Sequence, residues 1–393
     1  MNFFHSNKHE NLFQVTLPPS AESLRQEVRD FLQSELDTGG FEPQCDAWLA
    51  GFSPEFSRKL GERGWLGMTW PREYGGQERS ALDRFVVTEE LLAASAPVVA
   101  HWIADRQTGP LLLRYGTEEQ RQLIMPKIAR GECYFAIGMS EPDSGSDLAS
   151  IESSATKVEG GWRLNGHKIW TSWAHRFHYS IALFRTSPKN EQRHAGMSQF
   201  LVDLSAPGLT IKPIISIDGN HHFNQLLFDD VFVPDSMVVG TIGRGWQQVI
   251  GELAFERSGP ERLLSSFPVL LAYMRRLSNG TGEKLTEHSA VTIGQLVARL
   301  WAMRRMSLAV AFMLDDGDIP DVEGSLVKDL GTRYEQDMAE IVRLLTPVQP
   351  SVDSDDPLEV YLAQTMLRGP SFTLRGGTNE ILRGIVARNL GLR

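Results

Sequence analysis

Two stretches decide the fold of this chain: Met139-Ser-Glu-Pro-Asp-Ser-Gly-Ser-Asp147 and Asn165-Gly-His-Lys-Ile-Trp-Thr-Ser172. The apolar run before the first stretch, Tyr134-Phe-Ala-Ile-Gly138, predicts a buried strand, and the turn residues after it present backbone N–H groups and small hydroxyls. The second stretch opens with a hairpin signal, Asn165-Gly166, and resumes a strand that places Trp170 directly before two hydroxyls. Amides at a strand end beside an aromatic plane suit a flat ring system with polar edges.

Composition describes an ordinary globular protein. The chain has 393 residues, of which 41% are hydrophobic and 22% charged, and this length predicts about two or three domains. Cys45 and Cys133 are too few for a disulfide framework and are interpreted as packing residues. A net charge of −10 without a basic cluster argues against nucleic acid as a partner. Because no apolar run reaches the ~20 residues of a membrane helix and no secretion signal is evident, we expect a cytoplasmic protein without membrane association.

The spacing of apolar residues changes twice along the chain. The first and last parts have helical spacing, whereas the middle part alternates apolar and polar residues between turn signals. We therefore expect an α+β multidomain protein with an N-terminal helical domain over residues 1–132, a middle β domain over 133–240 and a C-terminal helical domain over 241–393.

The two opening stretches, in this order and at this spacing, closely resemble the acyl-CoA dehydrogenase family, in which these segments hold the isoalloxazine ring of FAD. The resemblance covers roughly residues 20 to 393. Further family landmarks occur at Tyr74-Gly-Gly76, Tyr115-Gly-Thr117, Phe228-Asp-Asp230 and Gly377-Thr378. It implies FAD as the cofactor and the family's fold: a helical N-terminal domain, a β-barrel-like middle domain and a C-terminal four-helix bundle.

The resemblance assigns FAD contacts to three segments. The cofactor-binding residues that it implies are Ile137, Met139, Ser140, Gly145, Ser146, Trp170, Thr171, Ser172, Thr378 and Glu380. Met139 and Ser140 are expected at the ring edge, Trp170 at its flank and Ser172 near the reactive nitrogen. Ser146 is expected to contact the pyrophosphate or the substrate's pantetheine. Taken alone, Trp170 would be interpreted as a core residue.

The reaction of this family removes a proton from the carbon next to a CoA thioester carbonyl while the β-carbon gives a hydride to the flavin. It needs a carboxylate that reaches the α-proton and donors that stabilise the enolate-like oxygen. In the commonest pattern the carboxylate directly precedes Gly-Thr in the C-terminal segment. Here Gly376 occupies that position.

Some members instead carry the base on the first helix of the C-terminal domain, in a Leu-x-x-Glu-Arg pattern that Leu253-Ala-Phe-Glu256-Arg257 matches. The resemblance therefore implies that Glu256 is the catalytic base. Arg257 would orient it and contact substrate, and the backbone N–H of Gly376 would bind the thioester carbonyl. The apolar neighbours of Glu256 would raise its pKa. Alternatively, Glu256 and Arg257 form a surface ion pair, and Glu252, one turn earlier, is the competing carboxylate.

Two features that family members use to reach a neighbouring subunit's FAD are missing. An arginine followed by Phe-Gly is replaced by Arg276-Leu-Ser-Asn-Gly-Thr-Gly-Glu-Lys284, and a Gln-x-x-Gly-Gly loop is replaced by Leu345-Thr-Pro-Val-Gln-Pro350. This asymmetry resembles the heteromeric acyl-CoA dehydrogenases of sterol and bile-acid breakdown. We consider both a heterotetramer with a homologous subunit and a homo-oligomer, dimer or tetramer, with altered FAD contacts.

Three functions are compatible with the resemblance. The first is an acyl-CoA dehydrogenase that forms a trans-2-enoyl-CoA and passes electrons to an electron-transferring flavoprotein. The second is a non-catalytic subunit that completes a partner's site, and the third is a flavin monooxygenase or oxidase. The pair Glu256-Arg257 favours the first, because the third generally does not need it. No metal is expected, since the adjacent His221 and His222 would face opposite ways on a strand.

Overall fold

Helices form the first and last parts of the described chain in the computed structural model, which describes residues 16–189, 191–256, 259–279, 285–318 and 320–392. The first group consists of α1 (Pro19–Asp37), α2 (Ala47–Ala50), α3 (Pro54–Glu62), α4 (Ala81–Ala93), α5 (Val99–Ile103), α6 (Gly109–Tyr115) and α7 (Glu118–Ala129). A π-helical turn, Ala104–Thr108, joins α5 to α6. The face of α1 that includes Leu24, Val28 and Leu32 is buried, as its helical spacing predicts.

The last group consists of α8 (Gly245–Glu256), α9 (Phe267–Ser278), α10 (Glu287–Asp315), α11 (Asp321–Leu345), α12 (Pro357–Arg368) and α13 (Asn379–Asn389). Apolar residues at helical spacing predict one helix from Glu261 to Leu277, but this start is wrong. Pro260–Arg262 is a short 3-10 turn, and α9 begins at Phe267 with Pro268 in its first turn. An earlier start would place Pro268 in the helix interior, where it removes a hydrogen bond and clashes with the preceding turn.

The middle of the chain forms one eight-stranded sheet. Its strands are β1 (Phe135–Gly138), β2 (Ser154–Val158), β3 (Gly161–Ser172), β4 (Tyr179–Arg185), β5 (Met197–Asp203), β6 (Leu209–Ile214), β7 (Phe223–Pro234) and β8 (Val238–Val239). Their order is β6-β7-β3-β2-β4-β5-β8, and β1 pairs in parallel with β4. Apolar side chains such as Phe184, Phe200 and Leu226 form a core on this sheet.

The prediction of a hairpin turn at Asn165-Gly166 is wrong. The turn between β2 and β3 lies at Glu159 and Gly160, and Asn165-Gly166 lies inside β3, where the register with β7 shifts. Gly166 has φ 145°, and a Cβ there would clash with Ser153. The Asn side chain accepts a 2.9 Å hydrogen bond from the backbone N–H of Asp230. The Asn-Gly dipeptide therefore marks a β-bulge rather than a turn.

The chain divides into two compact units, each of which collects distant segments. The bundle unit contains residues 1–48, 79–96 and 257–393, and the sheet unit contains residues 49–78 and 97–256. Helix α8 thus belongs with the sheet, where it packs against β5 and α6. Among the described helices, none is both long enough and apolar enough to cross a membrane.

Candidate functional site

The loop after β1 places small residues at the surface. Glu141 and Ser144 exchange two 3.0 Å backbone hydrogen bonds, and the Ser144 hydroxyl donates to the carbonyl of Asp147 at 2.6 Å. These bonds form a tight turn from which Gly145 and Ser146 project into solvent. A Cβ at Gly145 would meet no atom within 4 Å, so the space beside it is open to a ligand.

A buried ion pair fixes this loop to β3. The ammonium of Lys168, which is fully buried, donates to Glu141 Oε1 at 2.8 Å and to the carbonyl of Met139 at 3.1 Å. The Glu141 carboxylate also accepts the backbone N–H groups of Glu152 at 2.7 Å and Ser153 at 3.0 Å. These bonds connect the loop to β3 and to the residues just before β2, so its inner side is fixed while Gly145 and Ser146 stay exposed.

Lys168 and Glu141 shift each other's pKa toward the ionised forms. Burial lowers the pKa of Lys168 to about 8, although the Glu141 carboxylate acts in the opposite direction. Burial by itself would raise the pKa of Glu141, but the charge of Lys168 and the hydrogen bonds to the carboxylate lower it below its ordinary value. Each charge therefore favours the ionised form of the other, and the two side chains depend on each other.

Trp170 is exposed at an irregular point of β3. Its side chain is 56% exposed and its φ is 60°, a left-handed backbone conformation that is uncommon for an aromatic residue. The register with β7 shifts between Lys168 and Thr171, and the indole meets the Phe223 ring edge-to-face at 5.9 Å. The core position that Trp170 alone would predict is therefore wrong. Exposed aromatic area and local backbone strain together are typical of a ligand site.

The residues after Trp170 are fixed by their backbones. Thr171 is fully buried, its carbonyl accepts a 3.1 Å hydrogen bond from the Asn224 amide, and its hydroxyl has no partner within the described residues. Ser172 is half-buried at the end of β3, and Ile137 is half-buried in β1. An orphaned hydroxyl beside an exposed indole, next to a loop with exposed small residues, fits a flat polar-edged group such as a flavin.

The predicted residues of the C-terminal segment, Gly376, Thr378 and Glu380, lie in the bundle unit. Gly376 and Gly377 have φ values of 68° and 87°, the left-handed region that glycine adopts without cost. The hydroxyl of Thr378 caps α13 by accepting the backbone N–H of Ile381 at 3.4 Å, and Glu380 is exposed in the first turn of that helix. Thr378 therefore has a structural role in addition to the predicted FAD contact.

The predicted base lies at the edge of what the structure describes. Glu256 is the last residue of α8, but its side chain, that of Glu252 and the whole of Arg257 lie outside the described residues. Upstream on α8, Gly251 lies beside Arg114 and Tyr115 of α6, and α8 also packs against the π-helical turn. The assignments of Glu256 and Arg257 remain predictions.

The adjacent histidines belong to a ring cluster just before β7. His221 stacks on His175 with ring centroids 3.7 Å apart and hydrogen-bonds Asn224 at 2.7 Å, whereas His222 is buried against Trp173. Within the described ranges no group of three or more His, Cys, Asp or Glu side chains could hold a metal ion.

Three family profiles match almost the whole chain. They are the N-terminal domain of acyl-CoA dehydrogenase over residues 18–132, the middle domain over residues 136–231 and the C-terminal domain over residues 243–391. The chain therefore belongs to the acyl-CoA dehydrogenase family, which consists of flavoprotein oxidoreductases that act on CH–CH donors.

Individual relatives agree with this assignment. Acyl-CoA dehydrogenase IpdE1 of Mycobacterium tuberculosis is 32% identical over 348 residues, which are 86% of this chain and 87% of that protein. Acyl-CoA dehydrogenase FadE34 of the same organism is 32% identical over 90% of this chain, but this chain spans only 49% of FadE34. The solved structure "Tcur3481-Tcur3483 steroid ACAD" superposes with a TM-score of 0.84 at 28% identity, over 96% of this chain and 99% of that one. The predicted family and fold are confirmed.

Proposed function

We propose that this protein is an FAD-dependent acyl-CoA dehydrogenase that converts an acyl-CoA thioester to its trans-2-enoyl-CoA. The observation that carries the proposal is the braced loop of the sheet unit, in which the Lys168–Glu141 pair holds Met139–Ser146 beside the exposed Trp170. The open space at Gly145 and the orphaned hydroxyl of Thr171 support FAD as the ligand. When bound, FAD would supply the acceptor for the hydride that leaves the β-carbon.

The FAD contacts in this proposal come from the three segments named above. Ile137, Met139, Ser140, Gly145 and Ser146 form the first group. Trp170, Thr171 and Ser172 form the second, and Thr378 with Glu380 forms the third.

The chain's own residues perform the proton chemistry in this proposal. Glu256 takes the proton from the α-carbon, and Arg257 orients Glu256 and contacts substrate. The backbone N–H of Gly376 donates to the thioester oxygen, on which negative charge develops as the proton leaves. A backbone donor needs no side chain, so glycine at 376 is compatible with this role. Ser146 is also proposed to contact the substrate's pantetheine.

Flavin reduction by substrate tests the proposed function. We expect the FAD-loaded protein to lose its visible flavin absorbance under anaerobic conditions when the correct acyl-CoA is added. The panel should include branched and steroid-derived thioesters, because the similar solved structure Tcur3481-Tcur3483 is a steroid ACAD. Failure of every thioester would contradict dehydrogenation. Oxygen consumption without an added electron acceptor, such as electron-transferring flavoprotein, would instead favour an oxidase or monooxygenase.

A second proposal concerns assembly: the chain works as one subunit of a heterotetramer with a homologous partner. Arg276 stands where family members carry the arginine that reaches a neighbour's FAD. Here its Nη1 lies 2.5 Å from Asp356 Oδ2, and Asp356 also caps α12 through a 2.8 Å bond from the Leu358 N–H. Arg276 is thus engaged within its own chain. The related structure Tcur3481-Tcur3483, which is named for two proteins, also supports this proposal.

Flavin content and mass test the assembly proposal. The chain expressed alone should contain clearly less than one FAD per protein, because the contacts from a neighbouring subunit are missing. Co-expression with a homologous partner should restore stoichiometric FAD and a tetrameric mass. Light scattering combined with flavin absorbance measures both quantities, and a fully loaded homotetramer formed by the chain alone would contradict the proposal.

A further inference from the structure

The segment Thr373–Asn379, which carries Gly376, is closed at its base by Lys328 of α11. The Lys328 side chain is fully buried. Its ammonium donates to the carbonyl of Gly377 at 2.6 Å, to the carbonyl of Thr373 at 3.4 Å and to Asn379 Oδ1 at 2.8 Å. A lysine ammonium has three protons to donate, and here they meet acceptors from both ends of the segment.

Asn379 extends this connection to the helix. It is 2% exposed, and its amide nitrogen lies 3.4 Å from the carbonyl of Asp329 and 3.3 Å from Thr332 Oγ1. Its backbone N–H donates to the carbonyl of Thr373 at 3.1 Å, so the two ends of the segment are also bonded directly to each other. The loop between them is therefore fixed at its base to Lys328, Asp329 and Thr332 of α11.

Arg375 fixes the loop on its other side. Its guanidinium makes two hydrogen bonds, of 2.6 and 2.7 Å, to the buried carboxylate of Asp46. It also lies over the rings of Trp48 at 4.1 Å and Phe372 at 4.7 Å. Because Arg375 directly precedes Gly376, these contacts together with the bond to the Gly377 carbonyl restrict the peptide plane that carries the Gly376 N–H.

We infer that Lys328 is a positioning residue for dehydrogenation: it holds the loop so that the Gly376 N–H points steadily at the thioester oxygen. This inference rests on the proposed function. A displacement of about 1 Å in a reacting or stabilising group can cost about 100-fold in rate. A neutral side chain at 328 would leave the acceptors at both ends of the loop without their common donor.

Substitution of Lys328 by methionine tests the inference. We expect kcat to fall by about 10- to 100-fold while KM changes much less, since the pantetheine contacts are elsewhere. Independently of activity, amide hydrogen exchange in a peptide spanning residues 373–379 should become faster. Lys157→Met is the matched control, because Lys157 is half-exposed and pairs with Asp235 in the sheet unit. It should change neither quantity.

A milder variant keeps the test decisive if Lys328→Met does not fold. Asn379→Ala retains the lysine but removes one of its acceptors, and it should shift both kcat and exchange in the same direction by a smaller factor. Wild-type kcat in a folded Lys328→Met protein, or a lower kcat without faster loop exchange, would overturn the inference. If none of the thioesters reduces the flavin of the wild-type protein, the proposed function fails and the inference fails with it.

Discussion

Glu256→Gln should lower the rate of flavin reduction by acyl-CoA about 10²- to 10⁴-fold, the usual contribution of a general base. Glutamine has nearly the same size and retains a hydrogen-bonding oxygen, but it does not accept a proton at neutral pH. FAD content should stay unchanged, because Glu256 is not among the proposed cofactor contacts. Stopped-flow absorbance of the anaerobic enzyme measures the rate directly.

Glu252→Gln provides the matched control for this variant. Glu252 lies one turn earlier on α8, so its substitution removes the same charge from the same helix. We expect nearly wild-type flavin reduction. A large loss in Glu252→Gln together with an active Glu256→Gln would identify Glu252 as the base. If both variants keep full activity in the assembled enzyme, the chain is a non-catalytic subunit.

Lys168→Met should destabilise the protein by about 3–5 kcal/mol, the usual cost of removing one partner of a buried ion pair. The variant leaves the Glu141 carboxylate without its cation and the Met139 carbonyl without its donor. Because the same contacts brace the proposed flavin loop, we also expect FAD affinity to fall at least tenfold. Urea unfolding measures the loss of stability, and flavin titration measures the loss of FAD affinity. Lys157→Met is the control, because it breaks the exposed ion pair of Lys157 with Asp235, and it should change both quantities little.

The penalty in Lys168→Met should depend on pH. In the folded wild-type protein the pKa of Glu141 is below its ordinary value. The ionised carboxylate therefore stabilises the fold at every pH above the ordinary pKa of a glutamate. This contribution is lost as the pH falls through the folded pKa. In the Lys168→Met variant the ionised Glu141 carboxylate has no cation beside it. The free energy of unfolding of the variant should therefore differ more from that of the wild type near pH 7 than at about pH 4. A difference that is constant over this range would show that the two charges are not coupled.

Apolar periodicity distinguished the helical parts of the chain from the strand-forming middle part, because burial of one face of an element depends mainly on local spacing. The errors arose where one local signal fits two structures. Asn165-Gly166 provides the positive φ that a hairpin turn needs, but a bulge uses the same conformation, and only pairing with β7 decides between them. The start of α9 depended on where Pro268 falls within its first turn.

The candidate flavin loop could be found from sequence because its residues are nearly consecutive. The groups that fix it were not recognised as partners, since Glu141 and Lys168 are 27 positions apart and no local pattern pairs them. Lys328 and Arg375 were missed for the same reason. A single lysine on an amphipathic helix ordinarily indicates a solvated face, and only tertiary packing shows that Lys328 is buried.

The left-handed backbone at Gly376 limits how this enzyme can be redesigned. A glutamate introduced there would meet a conformational penalty of roughly 1–2 kcal/mol, and relief by rotation of the peptide would disturb the carbonyl that Lys328 holds next to it. Moving the proposed base from Glu256 to position 376 by exchanging two side chains should therefore yield a poor catalyst. Such a transplant would have to remodel the main chain around Gly376 first, because a glutamate there does not tolerate the backbone conformation that the glycine adopts.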